Sequence, residues 1–137
     1  MNHNPGHPAV NMRPMTLSDI DAVQRIERAS FPTPWPLDAF LYELARPQRS
    51  ICQVAEQMKS DGETKVVGDI VIWLAGRIAH VATLAVHPDF RREGIGACLL
   101  ANALTASIDR GMNEALLEVR EKNQAAQKLY LRFGFEV

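Results

Sequence analysis

Between Phe90 and Cys98 the chain reads Arg91-Arg92-Glu93-Gly94-Ile95-Gly96-Ala97, and an apolar, alanine-rich run follows it. A loop that turns into a helix leaves unpaired backbone N–H groups at the positive end of the helix dipole, which is a ready site for an anion. Glycine at positions 94 and 96 keeps side chains away from those N–H groups. Arg91 and Arg92 can add charge-assisted contacts. The chemistry this suggests is a cradle for a diphosphate. It is not a P-loop, because no Gly-Lys pair follows the first glycine, and it lacks the third glycine of the dinucleotide fingerprint. The pattern is Arg-x-x-Gly-x-Gly.

Other residues carry chemistry singly. Glu118 lies in "LLEVR", a carboxylate amid apolar neighbours, where burial needs a reason. It could instead face solvent or pair with Arg120 or Arg132. Tyr130 falls within a helical pattern that opens at Asn123, a good N-cap residue. His80 and His87 are further titratable candidates, flanking the strand that leads into the Arg-Gly loop. Trp35 and Tyr42 are large aromatics in and after the proline-rich "FPTPWP", placed to line a slot or to cover a surface. Cys52 and Cys98 are not spaced as a metal or redox pair, and His3 and His7 have no further ligands beside them. No metal site is expected.

These groups must be positioned by elements that the sequence patterns outline. Leu17, Ile20, Val23 and Ile26 predict a first helix over 17–29, with Thr16 and Asp19 forming an acidic variant of the capping box. "LDAFLYELA" predicts a second, ending before Pro47. The period then changes. "SICQVAE" and "KVVGDIVIWLA" read as a hairpin around Asp61-Gly62. "IAHVATLAV", after a turn at Gly76-Arg77, reads as a central strand covered on both faces. A helix over 94–109 capped by Gly111 follows, then the strand "EALLEVR" and a last helix from Asn123 to Gly134. Strand-helix-strand at the end predicts a parallel pair. Together these give an α+β fold, a mixed sheet with helices on both faces.

The 137 residues suit one domain, with 1–11 as a flexible tail and 12–137 as the folded unit. The net charge of -1 provides no general field for nucleic acid. No run reaches the roughly eighteen apolar residues of a membrane span, and two unpaired cysteines suit a cytoplasmic protein. Neither nucleic acid nor a membrane is an expected partner.

"LAVHPDFRREGIGA", "LEVREKNQAAQKLYLRFGF" and "SFPTPWPLDAF" together resemble the Gcn5-related N-acetyltransferase (GNAT) family, in its RimI-type branch, over residues 13–137. The resemblance implies a mostly antiparallel mixed sheet with a splayed parallel pair that binds acetyl-coenzyme A. It implies that Leu84, Ala85 and Val86, with a β-bulge among them, and Arg91, Arg92, Glu93, Gly94, Ile95, Gly96, Ala97 and Asn123 contact this cofactor. It implies Glu118 as general base, Tyr130 as general acid, and Trp35 and Tyr42 beside the acceptor. The implied reaction is direct transfer of acetyl to a protein N-terminus, the N-terminal alanine of a small-subunit ribosomal protein. Family members continue past the "GF" element into one or two further strands. Ending at Val137 thus implies a domain lacking its C-terminal strands and a sheet edge open to dimerisation. A polyamine-like small-molecule acetyltransferase, or a non-catalytic acyl-coenzyme A-binding module, are the alternative readings.

Overall fold

Alternating apolar residues between Ser50 and Val86 build the middle of the sheet, and the flanking segments add to it on either side. The computed structural model describes residues 10–117. Its strands are β1 (Val10–Pro14), β2 (Ser50–Met58), β3 (Thr64–Ala75), β4 (Ile78–Val86) and β5 (Glu114–Leu117), lying in that order across the sheet. The first four are antiparallel neighbours, and β5 runs parallel to β4 from Ile78↔Glu114 to Val81↔Leu117. This is the mixed sheet expected from the sequence, including the parallel pair across the last connection.

The helices are α1 (Ile20–Ser30), preceded by a 3-10 turn over Leu17–Asp19, α2 (Leu37–Leu44) and α3 (Ile95–Asp109). α1 turns Ile20, Val23 and Ile26 inward, the spacing that predicted it. The Asp19 carboxylate accepts from the Thr16 N–H at 2.8 Å, which is the reach-back half of the predicted capping box. Past α3, Gly111 N–H donates to Ile108 and Met112 N–H to Ser107, the paired bonds of a Schellman end.

Two apolar clusters lie on opposite faces. Ile70 and Ile72 of β3 pack under α3 with Leu99, Leu100 and Ala103. Val71, between them in sequence, packs with Val23 of α1 and Phe40 of α2. Helices therefore cover both faces, with α3 held close because Gly68 of β3 has no side chain. A Cβ there would stand 2.8 Å from Leu99 Cδ1 and 3.2 Å from the Ala85 carbonyl oxygen.

β1 was not foreseen. Val10 and Asn11, grouped with the tail on sequence, pair with Gln57 and Glu56 of β2. An edge strand in a polar, proline-containing stretch has little alternation to reveal it. Side chains fix it instead: Arg13 donates to Asp19 at 2.8 Å and to Glu56 at 2.9 Å, tying β1 to the α1 entry and to β2.

Candidate active site

The donor side begins where β4 ends. His87 and Pro88 stop the strand, and Pro88–Phe90 form one 3-10 turn. The His87 ring folds over this turn, with Nδ1 accepting from Asp89 N–H at 3.1 Å and its edge against Phe90. The chain then takes two left-handed steps, Arg92 at φ 66° and Gly94 at φ 84°. The first is a strained conformation for an arginine, costing about 1 kcal/mol or more. The second is one that glycine adopts freely. The open space beside Gly94 is where a Cβ would point.

The first hydrogen bond of α3 runs from Cys98 N–H to Gly94 O at 3.0 Å. The N–H groups of Ile95, Gly96 and Ala97 come before it, so α3 offers them outward. Arg92 and Glu93 are exposed on the loop. Arg91 does something else with its charge: Nε donates to Val86 O and Nη2 to Ser30 Oγ, both at 3.0 Å. It pins the loop to the end of β4 and to the last turn of α1. Lys65 Nζ, 5.3 Å from the Phe90 ring centre, brings another cation to the loop. Neither Lys65 nor Ser30 was singled out on sequence.

The strand beside this loop carries the bulge, but not where the sequence reading put it. Val71 pairs with Thr83 and Ile72 with Val81, so Ala82 is the extra residue, and Leu84, Ala85 and Val86 pair regularly with Ile70, Asp69 and Gly68. Its effect on packing is direct. Ala79 and Val81 before the bulge, and Leu84 and Val86 after it, all belong to the α3 cluster, whereas Ala82 packs on the α1 side. One inserted residue shifts the alternation by one and keeps both ends of β4 under α3. β4 is thus covered on both faces, as expected, and Thr83 turns its hydroxyl toward α1.

Thr83 meets a carboxyl pair there. Its hydroxyl donates to Glu27 Oε1 and Oε2 at 2.9 and 3.0 Å. Glu27 and Asp69 are both 0 % exposed. Asp69 lies against Glu27 in the interior. Burial first, then the charge of Glu27 and a hydrogen bond with it, hold the Asp69 carboxyl well above the usual carboxylate range. Two carboxyl groups can share a hydrogen bond only when one of them is protonated. Sequence reasoning missed this pair, although an acid inside "VVGDIVIWL" is the same signal that drew attention to Glu118.

A second region, between α2 and the sheet, is aromatic. Trp35, Pro36, Ala39, Tyr42, Glu43 and Trp73 line a groove of about 260 Å³ between α2 and the sheet. Trp35 stacks on Trp73 with ring centres 5.9 Å apart, and Trp73 meets His80 at 5.2 Å. Trp35 and Tyr42 both border this groove, and Trp73 and Glu43, which join them, were not singled out on sequence. Cys52, near the groove, has its thiol pushed up to about 12 by burial, then by the charges of Glu43 and Asp69. It is therefore a poor nucleophile. Among the described residues, no three His, Cys, Asp or Glu side chains are grouped to hold a metal ion, and no helix is long and apolar enough to cross a membrane. Glu118, Asn123 and Tyr130 lie outside the described residues; Leu117, just before Glu118 in the chain, pairs with Val81.

The acetyltransferase (GNAT) family pattern matches residues 20–135. A ribosomal protein bS18-alanine N-acetyltransferase of Salmonella typhimurium is 30 % identical over 122 residues, covering 88 % of this chain and 77 % of its own. An N-alpha-acetyltransferase of Sulfolobus acidocaldarius is 33 % identical over 137 residues, covering 90 % and 78 %. The crystal structure of the ribosomal-protein-S18-alanine N-acetyltransferase from Escherichia coli superposes with a TM-score of 0.79 at 26 % identity, covering 93 % of this chain and 78 % of that one. The chain belongs to the acetyltransferase (GNAT) family.

Proposed function

We propose that this chain transfers an acetyl group from acetyl-coenzyme A to the α-amino group of a protein N-terminus, with the N-terminal alanine of a small-subunit ribosomal protein as acceptor. The observation that carries the reading is the α3 entry: three outward N–H groups, a left-handed glycine with open space at its Cβ, and an exposed Arg92, all at the end of β4. These features fit a diphosphate. The relatives named for alanine and N-alpha acetylation support the choice of acceptor. The two free thiols, Cys52 and Cys98, suit a cytoplasmic setting.

Acetyl-coenzyme A supplies an activated thioester together with a diphosphate handle. The amides of Ile95, Gly96 and Ala97 hold that handle, and Arg92 adds charge. Among the described residues β4 pairs with β5 only as far as Val81, and from Ala82 onward its edge can bond amide groups laid along it. An α-amino group has a reference pKa of about 7.7–8.0, so a base needs to remove only one proton near neutrality. Glu118 takes that proton, directly or through water, and Tyr130 returns one to the departing sulfur. The raised pKa of Cys52 argues against that thiol as an acyl carrier, and direct attack by the amine needs no covalent intermediate on the enzyme.

Mass spectrometry of an Ala-starting hexapeptide incubated with the chain and acetyl-coenzyme A tests this. One added acetyl group is expected, with kcat/KM down about a thousandfold in Glu118→Gln. Faster transfer to spermidine than to the peptide, or an unaffected Glu118→Gln variant, would contradict it.

A further inference from the structure

Ala82 and Thr83 are consecutive in β4, yet both face α1. Ala82 packs with the cluster of Val23, Phe40 and Val71, and Thr83 bonds to Glu27. Two neighbouring side chains on one face mark the bulge, whose extra residue has no ladder partner to hold it. Its shape is set by what packs against it, and here that is a polar contact in an apolar place. The Thr83 hydroxyl donates to both Glu27 oxygens, at 2.9 and 3.0 Å, and both residues are buried. Val23 and Val71 close the same face with apolar side chains alone. Packing therefore does not require a carboxyl group here, and burying one is costly. Asp69 of β3 lies against Glu27, so one buried polar set joins α1, β3 and β4.

The same face of α1 also reaches the donor loop. Ser30 follows Glu27 by three residues and so stands beside it on the helix. Its Oγ accepts from Arg91 Nη2 at 3.0 Å, and Arg91 Nε donates to Val86 O at 3.0 Å. The stretch from Ala82 to Arg91 is thus tied to α1 twice, at the bulge through Thr83 and after the strand through Arg91.

We propose that Glu27, backed by Asp69, is a positioning residue for acetyl transfer. Through Thr83 it fixes the bulge at Ala82, and the backbone amide left outside the ladder there holds the thioester carbonyl of acetyl-coenzyme A in place for attack. Glu27 is wholly buried and acts through Thr83, not on the reacting atoms. This rests on the acetyl-coenzyme A part of the proposed function and makes no demand on the acceptor.

Infrared spectra of acetyl-coenzyme A isotope-labelled at the thioester carbonyl, free and bound to the full chain, report the hydrogen bond on that oxygen without turnover. Acetylation of the Ala-starting hexapeptide is followed in parallel. The parent chain is expected to move the carbonyl band to lower frequency. Thr83→Val keeps the shape of the side chain and removes its hydroxyl. It is expected to lose most of that displacement and about tenfold in kcat, with coenzyme A affinity and the peptide KM within about twofold of the parent. Thr83→Ser restores a hydroxyl and is expected to recover most of both. Glu27→Leu is expected to match Thr83→Val, and the double variant Glu27→Leu/Thr83→Val to be no slower than either alone, because the two side chains form one contact. A role in stability alone would lower Tm and leave the band of the bound thioester in place. Equal band positions in the parent and Thr83→Val, or no displacement in the parent, would overturn the positioning role and leave N-terminal acetylation standing. A hydroxyl-dependent displacement with no acetylation of the peptide would support the role and overturn the proposed acceptor.

Discussion

The proposed donor loop after β4 and the proposed acceptor groove between α2 and the sheet are made of different material. The donor side is backbone: N–H groups of Ile95, Gly96 and Ala97, shaped by the left-handed step at Gly94, from one short contiguous stretch. The acceptor side is side chains: Trp35 from a loop, Tyr42 and Glu43 from α2, and Trp73 from β3, brought together only by folding. A site built from backbone constrains which residues can be left out, chiefly by demanding glycine. A site built from side chains can be retuned one residue at a time. This makes the donor side suited to an invariant cofactor and the acceptor side to a chosen substrate.

The largest expected effect would break the donor half of that contrast. Gly94→Val forces a β-branched residue to φ 84° and fills the open space beside the helix entry. Calorimetry is expected to show coenzyme A affinity falling about a hundredfold, against about threefold for Arg92→Ala. A larger loss from the arginine than from the glycine would mean that charge, not backbone, holds the cofactor.

A smaller effect sharpens the line between the two halves. Asp69 pairs with Ala85 of β4 and lies against Glu27 of α1. Its folded carboxyl keeps a proton that the unfolded chain gives up near its ordinary pKa of about 3.9. Folding therefore takes up a proton, and stability falls as pH rises above that value toward the raised one. The slope is at most roughly 1.4 kcal/mol per pH unit. Asp69→Asn keeps the shape and cannot ionise. Its Tm relative to the parent chain is expected to climb as pH rises above about 4. A difference that does not change with pH would show that Asp69 ionises in the folded protein.

The same division decides what could be read from the sequence. The Arg-x-x-Gly-x-Gly loop was legible because its chemistry is local: glycine spacing and a following helix are visible in seven residues. The Asp61-Gly62 and Gly76-Arg77 turns were legible for the same reason, and both join antiparallel strands as expected. Glu27 and Asp69 are 42 residues apart in sequence and meet only when α1 lies on β3, so neither announces the other. Glu43 carries no signal of its own in the sequence and is enclosed only when α2 packs it against Ser50. The bulge was expected in β4 but falls at Ala82, before Leu84, because its place is set by how α3 and α1 share the strand's two faces. β1 escaped notice because an edge strand leans on Arg13, not on an apolar alternation.

The central claim is that the amides opening α3 hold the diphosphate of coenzyme A. Backbone amide NMR of the full chain, recorded with and without coenzyme A, tests it most directly. The largest shifts are expected at Ile95, Gly96 and Ala97, with smaller ones along β4 from Ala82 to Val86 and little change at Ile51 or Val54 of β2. Largest shifts at residues remote from Gly94, or no shift at saturating coenzyme A, would contradict it.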